Sequence, residues 1–151
     1  MNTKEQSERD RIDVVAREWI GTPFRDEAQV KGRNGGCDCA TLLRGVFIEA
    51  GIVPEFKLSH YSPQFFLHSG EQQYLNWVLK YAHEIPKEQA QYGDIVLYWI
   101  GQCFAHGAII IKPGWPNIIH AHFSSRCVRP ASGIAVHLGT PIKEMKFFTR
   151  W

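Results

Sequence analysis

The sequence predicts an α+β fold in which N-terminal helices pack on one face of a C-terminal antiparallel β-sheet. Three observations carry this expectation. Apolar residues recur at helical spacing in the first half of the chain, short β-rich runs follow the Tyr92-Gly93-Asp94 turn, and the two patterns do not alternate. At 151 residues the chain fits one domain, 1–151, large enough to bury a core without metals or disulfides.

Ile12, Val15, Ala16, Trp19 and Ile20 recur at helical spacing within a charged stretch that Gly21 and Pro23 stop, which predicts a first amphipathic helix. Residues 25–36 carry charges and three glycines without periodicity and read as a loop leading to Cys37. From Cys39 onward, Leu42, Leu43, Val46, Phe47 and Ala50 form one apolar stripe that Gly51 and Pro54 end, so a buried helix starts at or beside Cys39. Leu75, Val78, Leu79 and Ala82 predict a third helix after Gly70. Strands are expected at 95–100 (IVLYWI), 106–112 (HGAIIIK), 118–123 (IIHAHF), 133–138 (GIAVHL) and 145–151 (MKFFTRW), each short, β-branched or aromatic, and bounded by turn residues.

Composition narrows the function classes. With 44% apolar and 21% charged residues the chain is globular rather than disordered. A formal charge of +2, with no clustered basic stripe, argues against nucleic acid as a partner. The polar start, MNTKEQSERDR, lacks an apolar leader segment, which predicts synthesis in the cytoplasm without a signal peptide. The apolar runs are strand-sized, so no membrane span is expected. Four cysteines, Cys37, Cys39, Cys103 and Cys127, then read as reduced thiols, one of which is free to serve as a nucleophile.

Cys39 is the candidate. Asp38 is a suitable N-cap, which puts Cys39 in the first helical turn, where unpaired N–H groups and the macrodipole favour a thiolate and supply donors for an oxyanion. A small buried thiol would explain the same local sequence equally well. The histidines tilt the choice. His106 and His120 lie on successive expected strands, which antiparallel pairing can bring side by side, His106 taking the thiol proton and His120 fixing its tautomer.

These residues carry a resemblance. WIGTPF at 19–24, KGRNGGCDCATLLRGVF at 31–47, YGDIVLYW at 92–99, AHGAIII at 105–111 and IIHAH at 118–122 occur in the order found in the NlpC/p-sixty family of papain-like cell-wall cysteine peptidases. The chain most resembles the phage tail-associated branch. The resemblance implies Cys39 as nucleophile, His106 as base, His120 as third residue, and hydrolysis of an amide bond in peptidoglycan stem peptides, commonly between D-γ-glutamate and a diamino acid. It implies no cofactor, peptidoglycan peptide and phage tail proteins as partners, and action at the cell wall from a tail particle or after lysis. Two positions depart from it: Phe24 stands where many relatives have a tyrosine, and Ala40-Thr41 where Ser-Gly or Leu-Gly is common. Two rivals share the fold: a tail assembly protein with little activity, and a papain-like amidase or acyltransferase.

Phe24, Asp38 and Trp99 are the expected substrate contacts, Trp99 with Phe104 flanking the His106 turn. His122 shares a strand face with His120, so spacing alone leaves it open as the third residue. Cys37 with His106, His120 and His122 would be the ligands of an alternative zinc site, but a Cys-x-Cys pair lacks the usual ligand spacing, and no metal is expected. Cys103 and Cys127 read as structural, Lys31 and Arg33 as solvated loop charges, and His60, His68, His83 and His137 carry no assigned role.

Overall fold

The computed structural model describes residues 2–61, 72–134, 142 and 144–151. Helix α1 spans Thr3–Glu18, with Asn2 as its N-cap accepting from the Glu5 N–H. Its inner face buries Ile12 and Ala16 as expected, and also Arg9 and Asp13. The Arg9 guanidinium reaches Asp94 Oδ1 at 2.8 Å, the Tyr92 carbonyl at 2.8 Å and Thr149 Oγ1 at 3.2 Å, and lies 4.1 Å over the Trp151 ring. Asp13 accepts the Lys112 N–H at 2.8 Å. Each buried charge is therefore satisfied by hydrogen bonds, the condition under which such groups are tolerated. Ile20, expected on the buried stripe, lies beyond the helix and is exposed.

A two-residue antiparallel ribbon, β1 (Gln29–Val30) with β2 (Gly36–Cys37), interrupts the expected loop and ends directly before helix α2, Cys39–Glu49. Leu42, Leu43, Val46 and Phe47 form the buried face of α2, as the sequence pattern predicts. Helix α3 spans Gln73–Leu79 and buries Tyr74 and Val78, while Leu79 is exposed. Residues 83–85 form a strand, β3 (His83–Ile85), although their polar character gave no strand signal.

The main sheet is completed by β4 (Ile95–Ile100), β5 (Cys103–Ile110), β6 (Asn117–His122), β7 (Cys127–Ser132) and β8 (Met145–Thr149). Among the described residues six antiparallel strands run in the order β3-β8-β4-β5-β6-β7. The α+β architecture is thus as the sequence predicts. β7 was not expected: Cys127–Ser132 contains Arg129 and Pro130, and Pro is accommodated because this is an edge strand. The strand expected at 133–138 begins instead as a turn at Gly133 and Ile134, and its remainder lies outside the described residues. His68 and His137 fall outside them too.

One core cluster joins Ile12, Trp19, Leu42, Val46, Leu97, Ile109, Ile119 and Phe148, uniting the helices with one sheet face. Val96, Tyr98, Ala108, Ile110, Ile118 and Phe147 form a second cluster. Among the described residues no helix is long and apolar enough to cross a membrane.

Candidate active site

The start of α2 is fixed by Asp38. Its Oδ1 accepts from the Ala40 and Thr41 N–H groups at 2.9 Å each, while Thr41 Oγ1 accepts the Asp38 N–H at 2.8 Å, completing a reciprocal cap. Asp38 Oδ2 accepts the Glu27 N–H at 2.8 Å and the Tyr61 hydroxyl. The carboxylate is 3% exposed and engaged through both oxygens. Asp38, expected as a substrate contact, therefore anchors the helix start and the loop before it.

This cap delivers Cys39, partly exposed, to an edge of β5. The β5–β6 ladder pairs Ile109 with Ile119 and Ile110 with Ile118 and goes no further. Beyond its end, the Cys39 thiol donates to the Ala105 carbonyl at 3.7 Å, and the Gly107 N–H favours the ionised sulfur. The thiol thus meets the backbone on both sides of His106. A Cβ at Gly107 would meet the Tyr74 hydroxyl and Leu97, so position 107 faces the helices, and strand alternation turns His106 the other way. Its ring lies 5.7 Å from that of Tyr98, and its Nε2 is 2.8 Å from His120 Nδ1. Among the described residues no hydrogen bond joins the Cys39 thiol to the His106 imidazole.

His106 and His120 are 5% and 2% exposed. Burial, then the neighbouring His120 and His122, hold His106 well below the ordinary imidazole range. Burial, followed by His122 and the Arg129 guanidinium, pushes His120 down to about 3. Burial also raises the Cys39 thiol, and the Asp38 carboxylate raises it further, while the Gly107 N–H and the Tyr74 hydroxyl pull the other way. The expected thiolate at the helix start is therefore opposed by the very carboxylate that caps the helix. Burial thus disfavours the charged form of the thiol and of both imidazoles.

His122 stacks on His120 with ring centres 4.9 Å apart, but its Nδ1 bonds to Ser125 Oγ at 2.7 Å. Phe24 packs edge-on against Phe123 at 5.5 Å, and its N–H donates to the Arg126 carbonyl, which holds the 21–25 segment against the β6–β7 turn. The Trp99 ring packs edge-on against Phe104 at 5.2 Å, with Nε1 on the Gly101 carbonyl. Cys37 and Cys103 are buried in the two core clusters. Among the described residues no group of three or more His, Cys, Asp or Glu side chains is arranged to hold a metal ion.

Two tyrosines that sequence reasoning missed complete the surroundings. Tyr61 bonds to Asp38, and Tyr74 Oη donates to the Cys39 carbonyl at 2.7 Å. Trp77 lies between them, 5.3 Å from the Tyr61 ring and 6.1 Å from the Tyr74 ring. No sequence spacing links either tyrosine to the site, because their contacts are made by α3 and by the loop after α2.

No protein-family model and no curated protein matches the sequence. Solved structures do match. The peptidoglycan hydrolase RipB from Mycobacterium tuberculosis superposes with a TM-score of 0.61 at 17% identity over 99% of this chain and 68% of its own. The P60 domain of an antigen from M. avium subspecies paratuberculosis gives 0.61 at 18% identity over 98% of this chain and 97% of its own. RipD from M. tuberculosis, a non-catalytic NlpC/p60 domain protein adapted to peptidoglycan binding, gives 0.56 at 16% identity over 95% of this chain and 96% of its own. At these identities the likeness establishes the architecture: this chain has the fold of NlpC/P60 domains.

Proposed function

We infer that the protein is a cell-wall cysteine endopeptidase that hydrolyses an amide bond of peptidoglycan stem peptides, of the D-γ-glutamyl–diamino acid type. The observation that carries this reading is the bond of 2.8 Å between His106 and His120 on the strand pair beside the capped helix start that bears Cys39. The fold shared with peptidoglycan hydrolases supports the substrate class.

In this reading Cys39 is the nucleophile, His106 the base and His120 the group that orients it. The thiol leaves the Ala105 carbonyl and passes its proton to the His106 imidazole. The sulfur attacks the amide carbon, and the backbone N–H of Cys39, which takes no part in the Asp38 cap, stabilises the oxyanion. His106 returns the proton to the departing amine, leaving a thioester that water hydrolyses. His120 accepts from or donates to His106 Nε2 and thereby fixes which nitrogen faces the sulfur. Phe24 and Trp99 would border the substrate. Carriage on a phage tail particle accounts for access to the wall and rests on the sequence resemblance alone.

A second reading, a peptidoglycan-binding or tail assembly protein of low activity, is favoured by the upward-shifted Cys39 thiol, its bond to Ala105 rather than His106, and the non-catalytic neighbour RipD. Incubation with purified peptidoglycan, followed by separation of released muropeptides, decides between them. The peptidase releases products that Cys39→Ala abolishes. A wild-type protein that binds the wall and releases nothing establishes the second reading.

A further inference from the structure

We propose that Tyr74 is a positioning residue for the Cys39 sulfur: its hydroxyl rests on the Cys39 carbonyl and turns to the sulfur when the thiol gives up its proton. The proposal deepens the assignment of Cys39 as the nucleophile and rests on it.

The geometry is specific to this side chain. Tyr74 is 2% exposed, and its hydroxyl donates to the carbonyl of the residue whose thiol would react, at 2.7 Å. The same hydroxyl lies beside Gly107, where even a single added carbon would fall 2.3 Å from Oη. Tyr74 Oη thus lies between the Cys39 carbonyl and the β5 backbone next to His106, and both this hydroxyl and the Gly107 N–H favour the ionised Cys39 sulfur.

Its position is held from both ends. Gln72, the residue before α3, accepts the Phe104 N–H at 3.0 Å and docks the helix start on β5. The Tyr74 and Tyr61 rings both lean on Trp77, and Tyr61 in turn bonds to Asp38. A phenol hydroxyl has one proton and a free rotor, so it donates to only one of two adjacent acceptors at a time. With a neutral thiol the carbonyl is the better acceptor. Once the sulfur is charged it becomes the better one, since hydrogen bonds to ions are the stronger class. No proton is transferred by Tyr74 itself, because the thiol proton goes to His106.

The test reads thiol ionisation, not turnover. The rate of iodoacetamide alkylation at Cys39, followed by mass spectrometry across pH, gives the apparent pKa of the sulfur in the full chain. Tyr74→Phe is expected to move that midpoint up by about one to two units, the size of one lost hydrogen bond to a charged group. A fluorinated, more acidic tyrosine analogue placed at position 74 keeps the ring and strengthens the donor, and is expected to move the midpoint down. Superimposable profiles for the analogue and the wild type overturn the proposal, as does an unshifted Tyr74→Phe. Should Tyr74→Phe fail to fold, the analogue alone decides. Because alkylation needs no peptidase activity, a shifted midpoint in a protein that releases no muropeptide retains the Tyr74 assignment while rejecting the peptidase.

Discussion

His106 Nε2 and His120 Nδ1 stand 2.8 Å apart in a site where neither residue is more than 5% exposed, a pairing made across two strands whose ladder joins Ile109 to Ile119 and Ile110 to Ile118. One nitrogen of this pair carries the shared proton, so the tautomer of His106 is set by His120. Replacing His106 by Ala is expected to lower muropeptide release by about 10²- to 10⁴-fold, the range for loss of a general base. His120→Ala is expected to give a smaller loss with an altered pH profile. Equal rates for wild type and His106→Ala would remove His106 from the mechanism.

The same pair makes stability pH-dependent, and the sign follows from the direction of the shifts. Both histidines are held below the ordinary imidazole value by burial, His120 at about 3. Below about 6.5 the unfolded chain therefore binds protons that the folded chain refuses, and folding stability falls as the pH drops from about 6.5 toward 3. Each buried histidine contributes a slope of up to about 1.4 kcal/mol per pH unit in this window. Urea denaturation at a series of pH values measures it. His120→Gln is expected to flatten the slope, and an unchanged slope in that variant would assign the acid sensitivity elsewhere.

How much of this was readable from sequence depends on how far apart the interacting residues are. The start of α2 was legible because Asp38, Cys39 and the stripe from Leu42 to Ala50 are local, and cap chemistry and helical period act over one or two turns. His106 and His120 were legible because strand alternation constrains which residues meet. Tyr61 and Tyr74 were not, since each reaches the site from an element whose placement is tertiary. Arg9 and Asp13 carry no local signal of burial, yet they face Asp94 and Lys112, more than eighty residues away. The strand of 127–132 carries charge and Pro130, which local propensity scores against and an edge position permits.

Arg9 and Asp94 yield a stability prediction independent of function. Both are nearly inaccessible, at 2% and 1%, and the Arg9 guanidinium ties α1 to Asp94 just before β4 and to Thr149 at the end of β8. Removing one partner strands the other without water, so Arg9→Met is expected to cost about 3–5 kcal/mol. The double variant Arg9→Met with Asp94→Leu is expected to cost less than the sum of the two single changes, because it leaves no orphaned charge. Strictly additive losses in denaturant titrations would show that the two groups are not coupled.

Asp38 sets cap strength against thiol ionisation, and the two effects separate in one substitution. Its carboxylate accepts from Ala40, Thr41 and Glu27 N–H groups and from the Tyr61 hydroxyl, and its charge stands against a thiolate on Cys39. Asn at this position is a good cap and keeps one oxygen for the helix, but its amide nitrogen cannot accept from Glu27 or Tyr61. Asp38→Asn is therefore expected to lose about 1–3 kcal/mol through those unpaired donors. At the same time the Cys39 midpoint should move down, because the nearest negative charge is gone, and alkylation of Cys39 near neutral pH should be faster than in the wild type. Slower or unchanged alkylation in a folded Asp38→Asn protein would mean that the carboxylate aids the thiolate through the helix start more than it opposes it by charge.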